Sequence, residues 1–231
     1  MWNIFYKTVA NGLIYYFDSR IESTAVVHDR FAHEARLVEN FDAIRREMRN
    51  LKDVPRFEDV AAEQKEWAAS TPGAWRMLVL KSYGVWIHSN CSKLPNLSRL
   101  LADMPDVLSA SISILEGGKY VPRHRGPFKG VLRYYFGVEI PHVDNRPGAI
   151  LEIDGREHFI DEGAGLLWDD TFWHSVRNIS DLPRVALLLD IRRPEMPLDA
   201  VAVSLMIRTL VSVISLARFR KQGGSLRPPC R

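Results

Sequence analysis

The chain has 231 residues, 46% hydrophobic and 26% charged, which excludes a disordered or fibrous protein and fits one globular domain with one sizeable core. A net charge of +3 is too mild for a nucleic-acid-binding protein, and the arginines are scattered with no stacking platform; it suits an anionic substrate or an acidic membrane surface. Cys91 and Cys230 lack Cys-x-x-Cys spacing, so neither a disulfide framework nor a zinc ribbon is supported and a reducing compartment is favoured.

The first segment, "WNIFYKTVANGLIYYF" (2–17), is short and aromatic and could lie on a membrane. No stretch has the pattern of a signal peptide, and none of about 18 uncharged apolar residues spans a bilayer, so a cytoplasmic location is expected. Peripheral contact with the inner face of the membrane stays open. Leu37, Phe41, Ile44, Met48 and Leu51 recur at steps of four and three, which predicts a helix over 38–51. A shorter helix is expected around Leu97, Leu100 and Leu101, ending before Pro105. Residues 1–73 are thus expected to be helical segments packed on a core that follows.

From about residue 74 the pattern changes. "WRMLVLKSYG", "VLSASISIL", "VLRYYFGVEI", "AILEID", "EHFI", "GLLWDD" and "RVALLLDI" are short β-branched or aromatic runs, separated by turn chemistry such as "NRPG", "DG" and "DEGAG". They predict an all-β sandwich or barrel over 74–195. The stretch "LDAVAVSLMIRTLVSVISLARFRK" (198–221) predicts an apolar helix within 196–221. Ser204, Arg208 and Ser212 make a narrow polar stripe along it, and Arg218, Arg220 and Lys221 cluster at its end. It is expected to cover one side of the core, with a membrane surface as the alternative. Residues 222–231 read as a disordered tail.

A metal site in such a fold draws on histidines at strand ends in the β region. The pattern His-x-Asp occurs at His142 and Asp144, with His174 as a distal partner, but "PHVDNRPG" is a turn-rich connection separated from His174 by only three short strands. In a double-stranded β-helix the two histidines sit on facing strands of the minor sheet with four strands between them. His124 and His174 enclose four, at 131–140, 149–154, 157–160 and 165–168, so His124 is the expected ligand and His142 and Asp144 are turn residues. In "YVPRHRGPFKG", His124 lies in a turn that runs into a strand; its alternative is a solvated residue between Arg123 and Arg125. Asp170, four residues before His174, could hydrogen-bond a metal-bound water or a histidine, or could cap a strand with Asp169. Arg184 follows on the next apolar strand. Facing into a barrel mouth, its charge needs an anion; the structural alternative is a pair with Asp190 or Glu139.

"SILEGGKYVPRHRGPFKGVLRYYFGV", "LLWDDTFWHSVRN" and "LPRVALLLDIRRP" together resemble the aspartyl/asparaginyl β-hydroxylase family of iron(II) and 2-oxoglutarate dioxygenases, over roughly residues 74–195. Within it, "WRMLVLKSYG" and "GVLRYYFGV" are most similar to bacterial lipid A acyl-chain hydroxylases. The resemblance implies a mainly β fold, a double-stranded β-helix of jelly-roll or cupin-like form, with flanking N-terminal helices and an apolar C-terminal helix. It implies Fe(II) held by His124 and His174, with 2-oxoglutarate and O2 as cosubstrates. Gly126 stands where acyl-chain enzymes have a carboxylate ligand and where vertebrate aspartyl/asparaginyl enzymes have glycine, so a two-histidine site is implied. Arg184 matches the arginine that pairs with the distal carboxylate of 2-oxoglutarate, and Ser113 a serine that assists it. Tyr135 replaces a histidine at the other end of the cosubstrate, Arg133 matches a motif arginine on the substrate side, and Trp75 is a pocket wall. The implied activity is aliphatic C–H hydroxylation, on a lipid-linked acyl chain or on an aspartyl or asparaginyl side chain of a peptide or amino acid. A noncatalytic cupin-like binding protein is the third possibility.

Overall fold

The computed structural model describes residues 11–60 and 71–229, except 14, 29, 30, 72 and 127. Much of the aromatic segment at 2–17 therefore lies outside the described residues. Helical residues 15–18 are followed by α1 (Glu34–Glu39) and α2 (Phe41–Arg49). The single helix expected over 38–51 is broken at Asn40, whose side-chain amide donates back to the Arg36 carbonyl at 2.8 Å. Asparagine competes in this way with the backbone ladder, while Leu37, Ile44 and Met48 still share one buried face. A single turn, α3 (Phe57–Val60), precedes strands β1 (Trp75–Ser82) and β2 (Val85–Ile87). After α4 (His88–Cys91) comes α5 (Pro95–Ala102), started by a proline and ended before Pro105. The Glu47 carboxylate of α2 accepts from the backbone N–H groups of Asn96 and Leu97, supplying the cap that α5 lacks locally.

The remaining strands are β3 (Val107–Leu115), β4 (Tyr120–His124), β5 (Val131–Glu139), β6 (His142–Val143), β7 (Arg146–Pro147), β8 (Ala149–Ile153), β9 (Arg156–Phe159), β10 (Gly165–Trp168), β11 (His174–Asn178) and β12 (Arg184–Arg192). They form a seven-stranded sheet, β10-β5-β12-β3-β1-β2-β13, and a four-stranded sheet, β4-β11-β8-β9. Here β13 is Gly224–Ser225. The chain crosses repeatedly between the two sheets, with antiparallel neighbours throughout, which is the connectivity of a double-stranded β-helix.

Side-chain alternation along the major sheet separates packing from chemistry. Tyr134, Phe136 and Val138 of β5, and Val185, Leu187, Leu189 and Ile191 of β12, face the helices and join Leu37, Ile44, Leu97 and Leu101 in the main core. The intervening residues face the other sheet: Tyr135, Ala186 and Trp168 meet Leu151 and Ile153 of β8. Ser113, Arg133, Arg184 and Asp190 fall on that same inner face by parity.

Further expectations are corrected. In "PHVDNRPG" the turn falls at Asp144 and Asn145, both at positive φ, the backbone of the two-residue turns that match strand twist, but it closes a miniature β6–β7 hairpin, so His142 lies in a strand and not in the turn. His124 closes strand β4 rather than preceding a strand. The tail is not disordered from 222: β13 pairs with β2, and the Arg227 carbonyl lies 3.0 Å from the His88 ring. A free edge on β2 is a template that even a Gly- and Ser-rich segment can use.

The last helix, α6 (Leu198–Arg218), buries little of itself. Only Ala200, Ser204 and Ser215 are fully buried, so it does not cover a side of the core in the way expected from its composition.

Candidate active site

His124 ends β4 and His174 begins β11, and the two are cross-strand partners in the minor sheet. They lie on neighbouring rather than facing strands. Their ring centroids are 4.1 Å apart with the planes tilted by 57°. Each Nδ1 lies within hydrogen-bond distance of the carbonyl two residues before it, Pro122 at 2.7 Å and Phe172 at 2.9 Å. A carbonyl only accepts, so each Nδ1 carries the proton and each Nε2 presents a lone pair. Burial pushes His124 down to about 4; burial and the neighbouring His124 hold His174 well below its ordinary value. Both rings are therefore neutral, as metal-ligating imidazoles must be, and both are oriented by backbone. Among the described residues no group of three or more His, Cys, Asp or Glu side chains is placed to share a metal ion.

The turn leading to His174 is fixed by two acids with different tasks. Asp169 accepts from the Thr171 N–H at 3.0 Å and the Thr171 hydroxyl at 2.6 Å, and it pairs with the buried Arg193 guanidinium. Asp170 has another partner. It is buried and pairs through Oδ2 with Arg133 Nη1 at 3.0 Å, while Arg133 also donates to Asp190 Oδ1 at 2.8 and 2.9 Å. Burial pushes Asp170 up to about 6 against the pull of Arg133. Gly126 sits directly on this carboxylate: a Cβ there would lie 2.4 Å from its carbon and both oxygens, and the Gly126 N–H donates to the Asp170 carbonyl at 2.7 Å. The Asp170 carboxylate thus fills the space that a side chain at 126 would take. Arg133, matched to the substrate side, has its guanidinium engaged by two carboxylates.

Farther into the barrel, Arg184 is 3% exposed and donates from Nη1 to the Ser113 carbonyl and hydroxyl, both at 3.3 Å. Among the described residues it has no carboxylate partner: Asp190 is taken by Arg133, and Glu139 by Arg45 and Arg49. Its Nε–H has no acceptor, and burial lowers its pKa. The Tyr135 ring lies 5.6 Å below the guanidinium, and the Trp75 Nε1–H donates to the Ser113 hydroxyl at 2.9 Å. A buried cation with unused donors and a hydroxyl beside it is a cradle for a carboxylate. Trp168 links the two parts, packing edge-on to His174 at 4.4 Å within the cluster that holds Tyr135; its indole N–H is also buried without an acceptor.

All eight residues singled out from sequence therefore lie in the space between the sheets or on its wall. His142 does not join them. It is on the exposed hairpin, 3.2 Å from Asp161. Sequence reasoning missed Trp168, Asp190 as the partner of Arg133, and Phe57, which stacks on Trp75 at 3.7 Å. Trp168 had a signal, since it directly precedes the acids in "LLWDD"; Phe57 had none. At the mouth, Trp173 is 45% exposed, with the Arg123 and Arg125 guanidiniums 5.4 and 5.3 Å from its ring.

Fold and site define a double-stranded β-helix protein of cupin-like class with two backbone-oriented histidines and a buried anion cradle. The family model described as aspartyl/asparaginyl beta-hydroxylase matches residues 38–194, and the chain belongs to that family of enzymes. It is 30% identical over 168 residues to an ornithine lipid ester-linked acyl 2-hydroxylase of Rhizobium tropici, covering 71% of this chain and 58% of that protein. It is 30% identical over 177 residues to human aspartate beta-hydroxylase domain-containing protein 2, covering 72% and 46% respectively. The chain thus spans about half the length of these relatives. Among solved structures, the cupin domain of an XRE-family transcriptional regulator from Enterobacter cloacae aligns with 53% of this chain and all of that one, at 15% identity and a TM-score of 0.36.

Proposed function

We propose that the protein is an iron(II)- and 2-oxoglutarate-dependent hydroxylase of an aliphatic C–H bond on a lipid-linked acyl chain. The observation that carries the reaction class is Arg184, a buried guanidinium beside Ser113 with no acidic partner among the described residues, in the same inter-sheet space as two neutral imidazoles. His124 and His174 would hold iron through Nε2, and a bound 2-oxoglutarate would set its distal carboxylate against Arg184 and Ser113. With dioxygen, that centre would supply the oxidant for inserting one oxygen atom into the C–H bond, the other going to 2-oxoglutarate as it is converted to succinate and carbon dioxide.

The chain's own residues position and shield. Arg133, held by Asp190, fixes the Asp170 carboxylate beside Gly126, where it can accept a hydrogen bond from a water near the histidines. Tyr135 and Trp168 wall the space against bulk water. The acyl-lipid substrate is supported by the Rhizobium tropici relative and by the entrance, where Trp173 between Arg123 and Arg125 suits an anionic headgroup beside an apolar chain. Gly126, matched to the vertebrate enzymes, favours hydroxylation of an aspartyl or asparaginyl side chain as the second reading.

The test is succinate formation by anaerobically iron-loaded protein after oxygen addition, with lipid A, ornithine-lipid or aspartate-containing peptide fractions supplied separately. Iron-dependent succinate stimulated by a lipid fraction supports the reading. Stimulation by peptides alone moves the substrate to the second reading. No succinate, with no binding of iron or 2-oxoglutarate by folded protein, would leave a noncatalytic binding protein.

A further inference from the structure

The helix α6 meets the protein through small, polar and a few apolar residues and turns a broad apolar face outward. On the inner side Ala200 and Ser204 are buried, the Ser212 hydroxyl donates to the Tyr83 carbonyl, the Ser215 hydroxyl lies 2.9 Å from that of Ser82, and Phe219 is tucked in just beyond the helix. On the outer side Val201, Leu205, Met206, Leu210, Val213 and Ile214 are each 42–65% exposed. A contiguous apolar stripe of this kind, about 20 Å long at 1.5 Å per residue, is of the sort that marks a binding or membrane surface. Of the stripe predicted from the sequence, Ser204 is buried and Ser212 bonds to Tyr83, and with Ser215 they mark the side on which the helix meets the protein.

What lies against the apolar face is indicated by charge. No aspartate or glutamate follows Asp199, whereas Arg208, Arg218, Arg220, Lys221, Arg227 and Arg231 do. Arg220, Lys221 and Arg227 are exposed. A second copy would bring together two acid-free segments with nothing to meet their cations. Anionic lipid headgroups meet them, and acyl chains meet the apolar stripe. The helix is long and apolar enough to cross a membrane, yet it is fastened to the protein from Ala200 to Ser215, so a bilayer-spanning orientation would drag the β domain into the hydrocarbon.

We propose that α6 seats the protein on an anionic bilayer, with the helix axis in the membrane plane. Contacts continue from there toward the site: Ala200, Val203 and Ile207 pack with Phe17 and Phe128, and Asn11, in the helical stretch before Phe17, accepts from Arg125 at 3.0 Å beside Trp173. The docking deepens the acyl-lipid reading but does not require it, and it is measured without iron or 2-oxoglutarate.

The experiment is flotation of the full chain with vesicles of phosphatidylcholine alone or mixed with phosphatidylglycerol. Wild type should float with the mixed vesicles and less with the neutral ones. Leu205→Gln/Leu210→Gln should lower the partition coefficient at least tenfold. Arg220→Gln/Lys221→Gln should lower it roughly 25-fold, at about fivefold per cation, with loss of salt sensitivity. All four positions are exposed, and unchanged melting temperatures would confirm folding. Protein that stays in the aqueous fraction with both vesicles, binding indifferent to both substitution pairs, or a solution dimer dissociated by Leu205→Gln/Leu210→Gln would overturn the proposal.

Discussion

Replacing Arg184 by methionine should have opposite effects on the empty and the ligand-bound protein. The guanidinium is buried, its bonds to Ser113 are long at 3.3 Å, and its Nε–H has no acceptor. A buried donor without a partner costs about 1–3 kcal/mol, and methionine keeps the apolar stem while discarding the donors. Without a dicarboxylate, Arg184→Met should be about 1–3 kcal/mol more stable than wild type, or about 2–12 °C in melting temperature for a chain of this size. With 2-oxoglutarate the order reverses. At a hundredfold excess over its dissociation constant the ligand adds about 2.7 kcal/mol to the wild type. The variant, lacking a charge-assisted contact of about 3–5 kcal/mol, should show no shift at the same concentration. Anaerobic calorimetry of both proteins, with iron and with or without 2-oxoglutarate, measures all four states. A variant less stable than wild type when empty, or one that keeps the full ligand-induced shift, would refute the cradle.

Other substitutions probe the rest of the site. His124→Ala and His174→Ala should each abolish iron-dependent turnover and weaken cobalt(II) binding followed by absorbance, whereas His142→Ala, on the exposed hairpin, should stay within about twofold of wild type. Loss confined to His142→Ala would reverse the ligand assignment. Gly126→Ala should destabilise the protein by about 1–3 kcal/mol in urea, because its Cβ lands on a buried, paired carboxylate; an unchanged midpoint would mean that Asp170 moves at no cost. Lys81 tests buried charge away from the site. Burial lowers it from 10.5 to about 8, so between those values the native state binds fewer protons than the unfolded chain. Its contribution to stability is full above 10.5 and is lost as pH falls through about 8. The advantage of Lys81→Met over wild type should therefore grow by about 3 kcal/mol from pH 10.5 to below 8, and a difference flat with pH would reject the burial.

The strands were legible because the major sheet alternates so regularly. "VLRYYFGVE" sends Tyr134 and Phe136 to the helices and Arg133 and Tyr135 inward, and that parity can be read without a fold. His174 and Arg184 follow instead from the count of strands and from the family resemblance. Partnerships between distant residues were not legible. Nothing near Arg133 says that Asp190, opposite it on β12, and Asp170 will engage it, or that Asp190 is thereby withdrawn from Arg184. The break at Asn40 depends on one side-chain hydrogen bond that outcompetes helix periodicity. The polar stripe of α6 was visible, but periodicity gives a face without giving its direction. Its direction is shown by the contacts of Ser215 and Ser212 with Ser82 and Tyr83 and by the packing of Ala200, Val203 and Ile207 on Phe17 and Phe128.

The cross-strand register of His124 and His174 has a consequence for how the pocket can diversify. Both histidines belong to the hydrogen-bonded ladder of β4 and β11, whereas Trp173 and Arg125, at the exposed rim, lie in the connections outside it. A one-residue slip within either strand would turn an imidazole to the opposite face of the sheet, so the spacing of the ligands is held by the same bonds that hold the sheet. Changes in the exposed part of the connections, such as at Trp173, leave that register in place, provided the buried Asp169–Arg193 and Asp170–Arg133 pairs are kept. New substrates can therefore be explored by rewriting the rim while the interval between the two rings stays fixed.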